Sequence, residues 1–308
     1  MEIKEIKGNT YCIDTGMTYI PFYKMNEEEI ILLDSGWAKG ERKGIDELLA
    51  KNNFKVASII CSHSHIDHIG NNAYFKNKYN CTIAMSAYEA LVCSSTVNLK
   101  AYFSTQTLSV VEEHYEDMVC ETDIMILDNQ DRINMCGYEF KIFHTPGHSP
   151  AHICIITPDD VAYLGDALIS YDVMAGAKMA YAFILREDLK SKVKLHDLKC
   201  SQYVVAHKGI YNDITKLIND NINYYKNRAA KIYELIDGAM TMEDIFKAAI
   251  KKFDIQVKST YRYAVIERML RSYVEYLNET GSIELNIEHG FLKYSKGSLC
   301  IEEVAIME

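Results

Sequence analysis

The sequence predicts an α/β fold, and three observations carry that prediction. Short β-branched runs alternate with helix-like segments from about residue 11 to residue 206. Most of the later runs end abruptly at histidine or aspartate. From Asp213 onward the texture changes to long helical periodicity, with Ile214, Leu217, Ile218, Ile222, Tyr225, Ala229, Ile232 and Ile236 forming one apolar stripe. These features divide the chain into a sheet-and-helix domain over residues 1–212 and a mainly helical one over residues 213–308.

Composition sets the outer bounds. With 308 residues and 48% hydrophobic content, the chain can bury one large core with a smaller appendage. No apolar run approaches the roughly 20 residues of a membrane span, and Met1-Glu2-Ile3-Lys4-Glu5 lacks the pattern of a secretion signal. The expected location is cytoplasmic. Nine cysteines, odd in number and never spaced Cys-x-x-Cys, read as small buried hydrophobes in a reducing compartment. A formal charge of −10 disfavours general affinity for nucleic acid or anionic membranes.

The elements follow in order. Tyr11 to Asp14, Thr18 to Phe22 and Ile30 to Leu33 are closely spaced β runs, which predicts an antiparallel meander. A helix from Glu41 to Lys51 leads into the strand Val56 to Cys61. Asn71 to Tyr79 and Ser86 to Cys93 read as helices around a strand at Thr82 to Met85. Ser94 to Glu121 lacks clean periodicity and reads equally as a pocket wall or as irregular core helices. Strands resume at Ile124 to Leu127, Tyr138 to Phe143, His152 to Ile156, Val161 to Leu164 and Tyr203 to Ala206.

The stretch His63-Ser64-His65-Ile66-Asp67-His68 places four ligand-type side chains within six residues, directly after an apolar strand. His63 and His65 can face one point while Asp67 and His68 reach a second. Without a cation, such crowding leaves repelling charges and undirected donors. Imidazole with carboxylate suits zinc, with iron or manganese as substitutes. His148, Asp166 and His207 each stand where a later apolar run stops, so strand ends can bring them to one sheet edge.

Together, His63-x-His65-x-Asp67-His68, Thr145-Pro146-Gly147-His148, Gly165-Asp166 and Ala206-His207 resemble the metallo-β-lactamase superfamily over roughly residues 1 to 210. The resemblance implies an αββα sandwich, two mixed sheets face to face with helices outside. It implies that His63, His65 and His148 hold a first metal, that Asp67, His68 and His207 hold a second, and that Asp166 bridges them. Two such cations would share a water of lowered pKa, supplying the nucleophile near neutral pH, with Asp67 also orienting that water. The commonest exported β-lactamases carry cysteine where this chain has Asp166, so antibiotic hydrolysis is not expected. Flavin-dependent di-iron relatives place glutamate where His65 stands, so zinc-type hydrolysis is preferred over redox chemistry.

His144 and His152 flank His148 and are candidates to orient the ligands from behind, or equally structural histidines. His114, His196 and His289 have no ligand-like context. Tyr171 and Tyr181 lie between two ligands in the chain, where a hydroxyl could steady an oxyanion, although packing is the commoner role.

In the tail, Thr241-Met242-Glu243-Asp244 reads as a capped start of a helix through Phe253. A further helix runs from about Ser259 to Asn278, and Ile283 to Ile287 with Phe291 to Tyr294 forms a hairpin. Three helices and a hairpin resemble a winged helix. Lys258, Arg262, Arg268 and Arg271 are interspersed with Glu267 and Glu275, which reads as a salt-bridged, solvated face. The expected tail packs on the catalytic domain, shapes the pocket or pairs two copies as a homodimer. The leading expectation is a binuclear hydrolase of a small ester, thioester or lactone. The alternatives are a nuclease or phosphodiesterase acting on single-stranded RNA, and a ligand-sensing DNA-binding regulator.

Overall fold

Two sheets lie face to face in the computed structural model, which describes residues 1–298. The first has seven strands in chain order: β1 (Glu2–Lys7), β2 (Thr10–Asp14), β3 (Tyr19–Lys24), β4 (Glu29–Leu33), β5 (Lys55–Ile60), β6 (Thr82–Ser86) and β7 (Ile124–Ile126). Neighbours up to β4 pair antiparallel and those beyond it pair parallel, so the sheet is mixed. The second has six strands: β8 (Arg132–Met135), β9 (Tyr138–His144), β10 (Ile153–Ile156), β11 (Val161–Tyr163), β12 (Gln202–Val205) and β13 (Gly209–Tyr211). They lie in the order β13-β12-β11-β10-β9-β8, with only β11 and β12 parallel.

The period-two geometry of a strand explains why β4 is apolar at consecutive positions. Ile31 and Leu33 face the second sheet, where they meet Phe140, Ile155, Tyr163 and Val204. Ile30 and Leu32 face the other way, onto helices. That outer layer holds α1 (Ala38–Lys51), α2 (Ile66–Ile69), α3 (Asn72–Tyr79), α4 (Ala87–Cys93), α5 (Thr96–Tyr102) and α6 (Leu108–Tyr115). Ile45 and Leu49 of α1 are among its buried contacts. A strand covered on both faces needs apolar residues on both, so alternation disappears.

Behind the second sheet lie α7 (Tyr171–Gly176), α8 (Leu185–Lys194) and α9 (Thr215–Tyr233), followed by α10 (Met242–Lys252), α11 (Thr260–Glu279) and the hairpin β14 (Ile283–Glu288) with β15 (Phe291–Lys296). The helix α10 opens with a capping box, in which Thr241 and Asp244 each accept from the other's backbone N–H. Residues of the 169–189 segment, including Ile169, Met179 and Leu185, share one core with Tyr225, Ile245, Leu270 and Tyr273. The tail helices therefore pack continuously with the segment between two of the ligand positions.

Several elements differ from expectation. The strands β1, β8 and β13 are absent from the sequence reading; β1 repeats Glu-Ile-Lys at a sheet edge, and β13 is three residues long. Ser94 to Glu121 contains α5 and α6 and also walls a cavity, so its two readings are both realised. Of the cysteines, Cys136 is exposed and Cys200 partly so, against the expectation of uniform burial, and Cys300 lies outside the described residues. The charged face expected on α11 holds in part: Lys258, Arg262 and Glu275 are exposed and Arg271 pairs with Glu267, but Glu267 is buried and Arg268 turns inward, beside the buried Ile266, Leu270, Tyr273 and Leu277. Among the described residues, no helix is long and apolar enough to cross a membrane.

Candidate metal centre

The ligand-type residues converge because four chain segments end at the same sheet edge. After β5, the amide and hydroxyl of Ser62 donate to the two oxygens of Asp34, each at 2.7 Å, which fixes where His63 emerges. His65 then caps the short turn α2, with the amides of His68 and Ile69 donating to its carbonyl. That turn carries Asp67 and His68 beside His63, whose ring centre lies 4.1 Å from that of His68.

His148 follows Gly147, whose φ of 131° and tight approach to Asp188 leave no room for a side chain. Asp166 follows Gly165, where an added Cβ would meet His152 Nε2 at 2.7 Å. The backbone N–H of Asp166 donates to that same His152 nitrogen at 3.1 Å, while Thr145 Oγ1 lies 2.8 Å from His152 Nδ1. His207 is held by its carbonyl, which accepts from Ser170 Oγ at 2.6 Å.

Two ligand sets result: His63, His65, His148 and Asp166 in one, and Asp67, His68 and His207 in the other. In the first, His63 Nε2 is 2.8 Å and His148 Nε2 3.0 Å from His65 Nδ1, and Asp166 Oδ2 is 3.2 Å from His148 Nε2. In the second, Asp67 Oδ2 stands 3.8 Å from His68 Nε2 and 3.3 Å from His207 Nε2. The other oxygen of Asp166, Oδ1, is 3.5 Å from His68 Nε2 and 3.4 Å from His207 Nε2. Asp166 thus faces both sets, one oxygen to each.

These residues fit a pair of divalent cations. Tetrahedral ligation at ordinary zinc–nitrogen distances separates neighbouring donor atoms by about 3.3 Å, and the observed spacings bracket that value. Two of the buried atoms left without a hydrogen-bond partner, His68 Nε2 and Asp166 Oδ1, are those aimed at the second set. A purely structural polar cluster would have paired them.

Electrostatics separates the two sets. Burial, aided by the neighbouring imidazoles, holds His63 and His65 well below the usual histidine pKa, so both are neutral and have lone pairs to offer. Burial opposes charge on His68 as well, yet Asp166 and Asp67 raise it well above that value. His207 is pushed up to about 10, chiefly by Asp166. Burial works against the negative charge of Asp166, but His207, His68 and His148 hold its carboxyl well below the usual range.

The supporting residues divide clearly. His152 braces Asp166 from behind, which is one of its two readings. His144 does not: its Nε2 bonds the Gln130 carbonyl at 2.7 Å, away from the ligands. Tyr171 bonds Asp220 and takes no part, whereas the Tyr181 ring lies 5.4 Å from His65 and 5.6 Å from His148. Sequence reasoning misses three residues. Asp34 is legible only as the polar stop of an apolar strand. Glu89, within a helix, accepts from the Ser64 hydroxyl, from Ser149 Oγ at 2.7 Å and from the Ala151 N–H at 2.9 Å, tying two ligand loops together. Arg268, solvated by expectation, turns inward beside Tyr181, 5.1 Å from its ring centre.

A cavity of about 290 Å³ opens from this edge, lined by His65, Asp67, Phe103, Tyr115, Tyr181 and Arg268, among others. Val265, Arg268 and Met269 of α11 form part of its wall.

Comparison with known proteins agrees with this architecture. A metallo-beta-lactamase family protein from Thermus thermophilus superposes with a TM-score of 0.69 at 18% identity, covering 91% of this chain and 93% of that one. The hydroxyacylglutathione hydrolase of Pelagibacter ubique is 26% identical over 171 residues, 55% of this chain and 56% of that protein. Ribonuclease J of Mycoplasma pneumoniae is 23% identical over 295 residues, 86% of this chain and 45% of that protein. The chain thus spans about half the length of these curated relatives. The family model for the metallo-beta-lactamase superfamily matches residues 13–207, which takes in every ligand position from His63 to His207. With the double sheet and the paired ligand sets at its edge, the chain belongs to the metallo-beta-lactamase superfamily.

Proposed function

We propose that the protein is a metal-dependent hydrolase of small esters, thioesters or lactones, with a binuclear site of the zinc type. The observation that carries this reading is the placement of Asp166 between two ligand sets that open onto a small, largely apolar cavity. His63, His65 and His148 would hold one cation, Asp67, His68 and His207 the other, with Asp166 shared. Two cations bound there supply water activation near neutral pH and an electrophile for the carbonyl oxygen.

The chain's own residues do the rest. The Asp34 carboxylate accepts from His68 Nδ1 at 2.7 Å, which directs Nε2 into the site. Asp67 orients the attacking water through its carboxylate. Phe103, Tyr115, Met118, Val265 and Met269 line the cavity and exclude bulk water from the acyl arm. The Tyr181 hydroxyl, buried without a partner, is available to the carbonyl oxygen as charge develops on it.

The similarity to a hydroxyacylglutathione hydrolase favours thioesters within this class. A second reading, cleavage of single-stranded RNA, is favoured by the similarity to a ribonuclease J over most of the chain. The small volume of the cavity, about 290 Å³, and the net charge of −10 weigh against a polymer. A groove-reading winged helix is disfavoured because α11 mixes acidic with basic residues and packs its Ile266–Leu277 portion against the rest of the chain. Hydrolysis by the zinc-loaded protein of a thioester and lactone panel, beside labelled single-stranded RNA, tests the reading. Chelator-sensitive thioester or lactone turnover is expected; turnover of RNA alone would overturn it.

A further inference from the structure

Arg268 sits on α11 with its guanidinium over four aromatic rings, 4.2 Å from the centre of Tyr102, 4.8 Å from Phe103, 5.1 Å from Tyr181 and 5.5 Å from Phe183. Aromatic faces stabilise a cation but satisfy none of its N–H donors in the way an oxygen does. One of those nitrogens, Nη2, is buried without a hydrogen-bond partner. Among the described residues no carboxylate pairs with it; the adjacent Glu267 is engaged by Arg271 instead. A permanently charged group with a buried donor left this way is costly unless something else arrives to pair with it.

The guanidinium faces the candidate site. Arg268 lines the same cavity as His65 and Asp67, and the Tyr181 ring lies between the guanidinium and the imidazoles of His65 and His148. The hydroxyls of Tyr181 and Tyr102 beside it also lack partners. Arg268 and Tyr181 thus bring unpaired donors to this cavity, which also holds the unpaired Gln106 Oε1, while Tyr102 lies on an adjoining pocket that Arg268 and Tyr181 also line.

We propose that Arg268 receives a carboxylate of the substrate, so that the cavity selects small acyl compounds carrying one carboxylate remote from the scissile bond. A single planar guanidinium with flanking hydroxyls matches a planar, singly charged anion in fork geometry. A phosphate monoester, with nearly twice the charge, meets no second Lys or Arg among the described residues that line this cavity. The assignment of substrate class rests on the hydrolase reading; the anion site itself does not.

Two measurements separate those claims. The metal-free full chain is titrated by calorimetry with hexanoate, hexanamide and hexyl phosphate, in wild type, Arg268→Met and Arg268→Lys. Wild type should bind hexanoate about tenfold or more tighter than hexanamide; Arg268→Met should lose that ratio and Arg268→Lys retain part of it. Equal binding of acid and amide overturns the proposal, as does a ratio unchanged in Arg268→Met, which is the result expected if Arg268 only clamps α11 onto the aromatic rings. Tighter binding of hexyl phosphate than of hexanoate also overturns it. In the zinc-loaded protein, kcat/KM for a succinyl thioester should exceed that for its succinamoyl counterpart, with the preference collapsing in Arg268→Met. Failure to turn over either thioester counts against the hydrolase reading alone, because the calorimetric ratio decides the anion site independently.

Discussion

Asp34 Oδ2 lies 2.7 Å from Nδ1 of His68, and the same oxygen accepts the hydroxyls of Tyr163 at 2.6 Å and Ser62 at 2.7 Å. One buried carboxylate thus sets the ring orientation of a ligand in the second set and the start of the His63 loop. Replacing it with alanine should weaken the second cation by roughly 10- to 100-fold and, through the released Ser62 at the start of the His63 loop, the first cation by less. Zinc titration against a competing chelator should show two tight equivalents in wild type and one in Asp34→Ala; two unchanged equivalents would refute the orienting role.

Gly147 connects the Thr145-Pro146 turn to His148 with φ at 131° and with the backbone of Asp188 against its Cα. Gly147→Ala combines backbone strain with overpacking and should cost on the order of 2–4 kcal/mol. Gly137→Ala, at φ 88° with open space around it, should cost only about 1 kcal/mol. Urea unfolding of both variants measures the difference, and similar midpoints would show that the close contact is relieved at little cost.

Lys192 and Asp188 form a buried ion pair at 2.6 Å on α8, with the ammonium 4.6 Å from the Tyr225 ring centre. Removing only the cation strands the carboxylate next to Gly147. Lys192→Met should destabilise by about 3–5 kcal/mol, and Asp188→Asn added to it should recover a large part of that loss. The double-mutant cycle is read from denaturant midpoints. A double variant no more stable than Lys192→Met would mean the pair is not the source of the loss.

Burial raises the thiols of Cys81 and Cys120 from 9.0 to about 11, and that of Cys154 to about 12. A folded-state pKa above the unfolded one means that the native state holds its proton while the unfolded chain releases it. Their contribution is therefore complete below pH 9 and falls as pH rises toward 11 or 12, by up to about 1.4 kcal/mol per pH unit for each group. Stability measured from about pH 8 to 11 should decline less steeply in Cys81→Ala with Cys120→Ala than in wild type. An identical slope would show that these thiols do not contribute.

What the sequence determined by itself is the local chemistry. The β-branched runs specify strands buried on both faces, and the stops at His63, His148, Asp166 and His207 mark where ligand-type side chains leave the sheet edge. Both follow from period, polarity and ligand type, which are properties of neighbouring residues. The short strands β1, β8 and β13 were not legible, because pairing with neighbours, more than apolar pattern, defines them.

Only the tertiary structure decided the roles of Asp34, Glu89 and Arg268. Each is polar or charged in a sequence context ordinary for a loop stop or a helix face, and each is buried or turned inward by elements far away in the chain. His144 and His152 show the same limit: both neighbour His148 in sequence, but only His152 points at Asp166. Which ligand-type residues gather at the edge was readable because that depends on residue type at a strand end. Orientation, pairing and the part of α11 in the cavity wall were not, because they depend on which surfaces meet once the two sheets and the tail helices have packed.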